Sequence, residues 1–193
     1  MIRRIKPALS KIHRQILPRR RTTAGAHPGE IAVDPAARQP TIHLFRYNDE
    51  TFEEQPIESL HEIPGPPTDG QVQWLNIDGL GDAATVARVG ELYDLHPLAL
   101  EDVVNTHQRP KAEVYDERLF IVTRMATLVE KTVMVEERLH TEQVTIFLGP
   151  NFVITFQESR GDCLDPVRQR LRKKLGKIRG QGADYLAYAL IDA

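Results

Sequence analysis

Glu101 and Asp102 are adjacent carboxylates in the segment LHPLALEDVVNTHQRPK, which covers residues 95–111. The sequence predicts them on a short helix, with His107 just past its end. Adjacent carboxylates repel each other, and a bound cation would remove that cost. Hard cations such as Mg²⁺ and Ca²⁺ prefer carboxylate oxygens, and Mg²⁺ usually keeps several waters. The pair is a candidate for a weak, water-mediated Mg²⁺ site, although on spacing alone a solvated helix face is the more frequent origin of such a pair.

Asp184 and Asp192 form a second candidate pair near the end of the chain. Eight residues apart on a predicted helix, they lie within about one quadrant of its surface. Asp192 follows the apolar residues Leu190 and Ile191. Taken alone, the two aspartates are typical of surface carboxylates rather than of a ligand pair.

His96, His107 and His140 raise the question of a zinc or catalytic site. They occur in no HExxH pattern and at no other ligand spacing, so a structural role is the better interpretation of each. Cys163 is the one cysteine of the chain, which excludes an intramolecular disulfide and a thiolate metal cluster. A zinc site would therefore need histidines and carboxylates.

Motifs for catalysis and for nucleotide binding are missing from the sequence. Ser159, Asp162 and His140 lack a GxSxG elbow, and residues 79–81 lack the third glycine of a dinucleotide fingerprint. The basic run over residues 168–179 could contact phosphates, but aromatic residues that stack on single strands are not interleaved with it. We expect no enzyme, no organic cofactor and no nucleic-acid partner.

Charge is unevenly distributed, although the formal net charge is only -2. The first 21 residues contain eight basic residues and no acid, so the rest of the chain is acidic and suits a cationic partner. Residues 1–40 are predicted as a basic, disordered tail, because residues 18–40 are rich in arginine and proline and have little to bury. The alternative over residues 2–17 is a basic amphipathic helix that touches anionic lipid. No apolar run is long enough for a membrane helix, which indicates a soluble chain.

The elements that must position these candidates alternate between strands and helices. Strands are predicted near residues 42–47, 51–57, 71–77, 119–125, 142–148 and 151–157, and residues 134–139 fit a helix or a strand. Asp82 is predicted to cap a first helix, and Pro97 to begin a second that ends near Asn105. A turn at 149–151 joins the last two strands as an antiparallel hairpin. We expect an α/β domain (α+β-like), with a mixed parallel and antiparallel sheet and helices on its faces.

Two further helices are predicted towards the end of the chain. Asp165 is expected to cap the first of them, with Pro166 at its first helical position, and this helix runs to about Lys174. The second begins near Ala183 and is still running at Ala193, because no glycine, proline or basic turn marks a stop. The expected organisation is a tail over 1–40, an α/β domain over 41–182 and the beginning of a longer helix over 183–193.

Seven segments resemble, in order and spacing, the cytoplasmic domain of CorA-type magnesium/cobalt transporters. They are WLNIDGL (74–80), HPLALEDVVNTHQRPK (96–111), LFIVTRM (119–125), TEQVTIFLG (141–149), FVITFQE (152–158), DPVRQRLR (165–172) and ADYLAYALIDA (183–193). The resemblance covers residues 74–193, is weak over 41–73 and does not extend into the tail. It implies a homopentameric transporter of the inner (plasma) membrane, with this α/β domain on the cytoplasmic side. A long stalk helix and two membrane helices with a Gly-Met-Asn pore motif would follow beyond Ala193.

The resemblance also implies roles for the acidic residues. In the family, Mg²⁺ bound between neighbouring head domains keeps the pore closed, and the residue that matches the main interface site is Asp102. Glu101 and Asp192 match a second site, and His107 lies near that group in the motif. Partner carboxylates on the adjacent subunit's stalk would lie beyond Ala193, so the chain is expected to contain at most half of each site.

The expected ligand is therefore Mg²⁺, and Co²⁺, Ca²⁺ and Zn²⁺ are further ions that could bind in vitro. Two alternatives remain open at this point. The chain could be the head domain of a related Zn²⁺ transporter, since the pore motif that selects the ion lies outside it. It could also be a free-standing soluble binding or scaffold domain.

Overall fold

The computed structural model describes residues 27–128 and 139–193, and within them a single seven-stranded sheet crosses the molecule. Its strands lie in the order β2-β1-β3-β7-β6-β5-β4, and every neighbouring pair is antiparallel except β3 and β7. The strands are β1 (Thr41–Tyr47), β2 (Phe52–Ile57), β3 (Val72–Asp78), β4 (Lys111–Tyr115), β5 (Arg118–Leu128), β6 (Leu139–Leu148) and β7 (Phe152–Gln157). The predicted mixed sheet is confirmed.

Helices cover both faces of this sheet, as predicted. The helices are α1 (Ala83–Tyr93), α2 (Pro97–Val104), α3 (Asp165–Arg172) and α4 (Ala183–Ile191). Val89 of α1 and Val103 of α2 are buried in one core with Ile77, whereas Leu186 of α4 is buried in a second core with Trp74. Because side chains alternate along a strand, the two cores lie on opposite sides of the sheet. None of the helices in the described residues has the length and apolarity of a membrane span.

Local sequence explains where α1 and α2 begin. Asp82 accepts hydrogen bonds from the backbone N–H groups of Ala84 and Thr85, at 3.1 and 3.0 Å, and so caps α1 as predicted. Pro97 occupies the first turn of α2, where its missing N–H costs nothing. His96 adds a cap, because its Nδ1 accepts a hydrogen bond from Leu98 N. This capping role, together with stacking on the Tyr115 ring, explains His96 without a metal.

The predicted cap of α3 is wrong by one residue. Leu164 occupies the N-cap position and makes no side-chain cap, while Asp165 lies in the first turn and pairs with Arg168 at 2.9 Å. The carboxylate of Asp162 instead accepts a hydrogen bond from Leu164 N. The helix also ends at Arg172 rather than near Lys174, because Lys174 adopts left-handed backbone angles with φ of 53°.

The structure differs from the predicted disordered tail over residues 27–40. These residues form no helix or strand, but Ile31 and Val33 are partly buried and pack against the core to which α1 and α2 contribute. Gly81 N donates a hydrogen bond to Arg38 O at 2.7 Å, which ties the segment to the end of β3. Two isolated apolar residues give no periodic signal, so the sequence offered no sign of this packing. Residues 1–26 of the predicted tail lie outside the described residues.

The outcomes of the sequence predictions differ for β4, for residues 134–139 and for α4. β4 was not predicted, and it pairs with β5 at one edge of the sheet. The helix or strand expected over 134–139 falls almost entirely on residues 129–138, which lie outside the described residues, and Leu139 begins β6. Helix α4 begins at Ala183 as predicted and extends to Ile191, and Asp192 keeps helical backbone angles with φ of −79° and ψ of −13°.

Candidate metal-binding site

Asp102 lies on α2 with its carboxylate held by two side-chain donors. Its Oδ1 accepts a hydrogen bond from Gln108 Nε2 at 2.6 Å, and its Oδ2 pairs with Lys111 Nζ at 2.7 Å. The side chain is 19% exposed, so the carboxylate is partly accessible to solvent. Both oxygens already have a donor, but a carboxylate offers about four acceptor positions, which leaves room for water or for a hydrated cation.

Lys111 joins Asp102 to a second carboxylate. Its Nζ also pairs with Glu113 Oε2 at 2.8 Å, and Tyr115 OH donates to the same oxygen at 3.0 Å. The ammonium lies 5.7 Å from the centre of the Phe120 ring. Burial opposes the charged form of Lys111, but hydrogen bonds to the two carboxylates outweigh burial and raise the pKa of Lys111. The hydrogen bond from Lys111 lowers the pKa of Glu113, so Lys111 and Glu113 are both charged near neutral pH.

Gln143 of β6 fixes the loop that follows α2. Its Nε2 donates to the backbone oxygen of Asp102 at 2.9 Å, and its Oε1 accepts from Gln108 N at 3.1 Å. Arg124 of β5 adds a hydrogen bond from Nη2 to Gln108 O at 3.2 Å. The sheet therefore sets the position of both Asp102 and its partner Gln108, which makes this part of the surface a built arrangement rather than a loose helix face.

Glu101 is in a different environment from Asp102 although the two are adjacent. It is only 6% exposed, and its Oε2 accepts a hydrogen bond from Gly29 N at 3.1 Å. Gly29 has φ of 86°, and a side chain there would bring its Cβ to 2.7 Å from Pro97 Cβ, so only glycine fits this contact. The Glu101 carboxylate is thus engaged by segment 27–40.

Asp192 and His107 lie at two further places on the surface. Asp192 is exposed at the end of α4, where its backbone N–H donates to Tyr188 O. The helices that hold the acidic candidates, α2 for Glu101 and Asp102 and α4 for Asp192, cover opposite faces of the sheet. His107 is exposed in the loop after α2, and its backbone N–H donates to Asn105 O at 2.8 Å.

Within residues 27–128 and 139–193, no group of three or more His, Cys, Asp and Glu side chains could hold a metal ion. Asp102 is the predicted site residue whose chemistry fits a divalent ion best in a single chain. It is a partly exposed carboxylate, and Mg²⁺ needs only one or two carboxylates because it keeps several waters. Among the described residues, Glu101 is instead engaged by Gly29, and Asp192 lies at the end of α4.

Sequence reasoning missed the partners of Asp102. Lys111, Gln108 and Gln143 were not singled out, although Gln108 and Lys111 belong to the HQRPK stretch that follows α2. A lysine shortly after a carboxylate pair is a weak signal on its own. Gln143 is 41 residues from Asp102 and gives no local signal at all.

A second polar cluster lies at the carboxyl ends of the two parallel strands, β3 and β7. Gln157 Nε2 donates to Asn76 Oδ1 at 2.8 Å and to Asp162 Oδ2 at 3.1 Å. Arg168 Nη1 donates to Asp162 Oδ1 at 2.7 Å, and its guanidinium lies 5.4 Å from the Trp74 ring centre. Burial opposes ionisation of Asp162, but the hydrogen bonds from Arg168 outweigh it and hold the pKa of Asp162 below its usual range.

Asp78 ends β3 beside this cluster. It lines a cavity of about 550 Å³ together with Asp162 and Arg168. Asp78 Oδ1 accepts a hydrogen bond from Asn76 Nδ2 at 3.2 Å. Burial, and then the nearby charge of Asp162, raises the pKa of Asp78 to about 6. The ends of parallel strands are common ligand positions, but here the acidic and basic side chains largely satisfy one another.

Sequence comparisons identify proteins that resemble this chain. The family model described as "CorA-like Mg2+ transporter protein" matches residues 69–193. The cobalt/magnesium transport protein CorA of Thermotoga maritima is 39% identical over 170 residues, which cover 88% of this chain and 47% of that protein. The chain therefore spans about half the length of this curated relative.

Two solved structures resemble the fold at low sequence identity. The soluble domain of CorA from Methanocaldococcus jannaschii has a TM-score of 0.52 and 10% identity, covering 77% of this chain and 54% of that chain. The ZntB cytoplasmic domain from Vibrio parahaemolyticus has a TM-score of 0.53 and 10% identity, covering 78% of this chain and 57% of that chain. At such identities the likeness shows the fold alone.

Proposed function

Because the chain belongs to the CorA-like Mg²⁺ transporter family, we propose that it is the cytoplasmic, Mg²⁺-sensing domain of a divalent-cation transporter. The transporter would move Mg²⁺ and Co²⁺ across the plasma membrane, with this domain on the cytoplasmic side. The observation that carries the sensing role is the position of Asp102. It is a carboxylate at a partly exposed surface, in a place fixed by the sheet through Gln143.

In this proposal Asp102 supplies half of a cation site between neighbouring copies in a homopentamer. A hydrated Mg²⁺ would bridge Asp102 to a carboxylate of the adjacent subunit. Millimolar affinity is the expected range, because a hydrated ion with one carboxylate from each side gains little direct coordination. A site of this strength responds to the Mg²⁺ concentrations that a transporter has to sense.

In this proposal, the charge of the carboxylates at the interface couples Mg²⁺ binding to closure of the pore. When Mg²⁺ occupies the interface, it neutralises facing carboxylates and favours the closed arrangement of subunits. When Mg²⁺ is lost, like charges repel and the closed arrangement loses stability relative to the open one. The ion shifts the population only because it binds the closed arrangement more tightly.

Glu101 and Asp192 are assigned to a second, weaker site between copies, with His107 nearby. They lie on opposite faces of one chain, so they can share an ion only across an interface. Glu101 would also have to exchange the hydrogen bond from Gly29, which makes this site harder to fill than the site at Asp102. Asp102 should therefore dominate the response to Mg²⁺.

A transport assay on the full-length protein tests the proposal. Asp102→Ala should weaken the inhibition of uptake by internal Mg²⁺, so that uptake continues at concentrations that close the wild-type protein. Glu91→Ala is the matched control, because Glu91 is an exposed carboxylate on α1 that pairs with Arg88 rather than with Lys111. Unchanged Mg²⁺ inhibition in Asp102→Ala would refute the sensing role.

The second candidate is the head of a related Zn²⁺ transporter, since the pore motif that selects the ion lies outside the chain. The two candidates differ in the ion carried and in the ion sensed. Uptake of Mg²⁺ or Co²⁺ that Zn²⁺ does not compete with would support the first candidate. Uptake of Zn²⁺ that is insensitive to millimolar Mg²⁺ would support the second.

A further inference from the structure

We propose that Lys111 is a competing cation built into the Asp102 site, which keeps the affinity for divalent ions low. The inference rests on the proposed sensing role of Asp102 and adds a residue to it. Lys111 is not a ligand. It is a positioned charge that a divalent ion has to displace or tolerate when the ion binds Asp102.

The first support is geometric. Lys111 Nζ lies 2.7 Å from Asp102 Oδ2, which is the distance of a direct, charge-assisted hydrogen bond. Gln108 occupies Oδ1 on the other side. An ion that approaches the carboxylate directly at Oδ2 meets the ammonium first, because that group already occupies a favourable position there.

The second support is charge. Asp102, Glu113 and Lys111 together have a net charge of -1 in the arrangement described above. Without the ammonium, the same surface would present two carboxylates and a charge of -2. A divalent ion is attracted more strongly to the second arrangement, and at partly buried positions such differences are screened less than on an open surface.

The third support is that Lys111 has a second carboxylate partner. Its Nζ is already 2.8 Å from Glu113 Oε2, and Tyr115 OH helps to fix that carboxylate. When a divalent ion takes over Asp102, the ammonium can stay paired with Glu113, so the exchange leaves no unpaired charge behind. When the divalent ion leaves, Lys111 pairs with Asp102 again. Asp102 is therefore neutralised by the divalent ion in the bound state and by Lys111 in the free state.

The test is a Mg²⁺ titration of the full chain, measured by calorimetry and by NMR shifts of the amides around Asp102. Lys111→Met removes the charge and keeps an unbranched side chain, and should lower the Kd for Mg²⁺ about tenfold at low salt. Lys111→Arg keeps the charge and should change the Kd less than about twofold. Lys174→Met is the control for net charge, because Lys174 pairs with Asp49 at another place, and should leave the Kd unchanged.

A Kd for Lys111→Met equal to or higher than that of the wild type would overturn the inference. If Asp102→Asn still abolishes the shifts in that case, the sensing role stands and only the competition fails. If Asp102→Asn and Lys111→Met both leave the titration unchanged, both proposals fail. Amide spectra of each variant confirm the fold, and Lys111→Gln serves as a second charge-removing variant if Lys111→Met does not fold.

Discussion

Two ion pairs on opposite faces of the sheet show how environment decides what a salt bridge does. The pair between Arg168 and Asp162 has side chains that are 12% and 5% exposed, and it is bidentate. The pair between Lys111 and Asp102 is 28% and 19% exposed and uses a single contact. The first pair joins Arg168 of α3 to Asp162 just before that helix and is nearly buried, while the second borders solvent.

The difference in burial leads to a difference in function. Asp162 has further donors in Gln157 and Leu164 N, and Arg168 has the ring of Trp74, so neither group can change partner cheaply. Lys111 is a flexible point charge with a second carboxylate within reach. The buried pair therefore holds the fold together, whereas the exposed pair has the freedom that the proposed exchange of cations requires.

The largest expected effect is on the buried pair. Arg168→Met should lower the free energy of unfolding by about 3–5 kcal/mol, because it leaves the Asp162 carboxylate buried without its cation. Urea unfolding measures this loss. Arg172→Met is the matched control, since Arg172 pairs with Glu54 at an exposed position and should cost less than about 1 kcal/mol. Equal losses in the two variants would remove the distinction between the pairs.

The next largest effect concerns pH. Because the pKa of Asp78 is raised to about 6 in the folded chain, folding favours its protonated form, and this contribution to stability is lost as pH rises from about 4 to 6. The side chain of Asp78→Asn cannot ionise. The free energy of unfolding of this variant should therefore be about 2 kcal/mol higher than that of the wild type at pH 7, and nearly equal to it near pH 4. Urea unfolding at several pH values gives the curve. If the difference in free energy of unfolding between the two proteins does not change with pH, the raised pKa of Asp78 is contradicted.

Glu101 provides an intermediate case, because it is buried but bonded to a backbone N–H group. Glu101→Ala should lower the free energy of unfolding by about 1–2 kcal/mol and expose segment 27–40 to proteases, since it removes the acceptor for Gly29 N. Limited proteolysis with mass spectrometry locates the cuts. Glu101→Gln keeps an acceptor oxygen and should be cut more slowly than the alanine variant. Cuts that are equally frequent in both would show that this hydrogen bond does not hold the segment.

The smallest expected effect on stability is at the exposed pair. Asp102→Asn should change the free energy of unfolding by less than about 1 kcal/mol, because its partners remain solvated when the charge is removed. Thermal unfolding without divalent ions measures this. A loss as large as that of Arg168→Met would mean that Asp102 is a structural residue, and the contrast between the two faces would fail.

Local signals predicted most of the fold. Spaced apolar residues predicted β1 and β3, the Asn48-Asp49 turn separated β1 from β2, and Pro97 marked the beginning of α2. β4 was not predicted, because its sequence KAEVY is short and its strand character comes from pairing with β5. The packing of segment 27–40 against the core was not predicted, because Ile31 and Val33 become partly buried only through contacts with distant residues.

The candidate site was predictable in part. Adjacency and resemblance identified Glu101 and Asp102, but they could not show that the two carboxylates have different surroundings. That difference depends on Gly29, which is 72 residues before Glu101, and on Gln143, which lies in β6. Long-range contacts of this kind leave no periodic trace in a sequence. Lys111 likewise lies beside Asp102 only because β4 pairs with β5 at the edge of the sheet.

The most direct test of the central claim is a Mg²⁺ titration of the chain followed by NMR, beside Asp102→Ala and Asp192→Ala. A sensing surface centred on Asp102 predicts shifts at millimolar Mg²⁺ in the amides around residues 101–111. These shifts should be lost in Asp102→Ala and largely kept in Asp192→Ala. Shifts around 101–111 that persist in Asp102→Ala would contradict the claim that this carboxylate binds the ion.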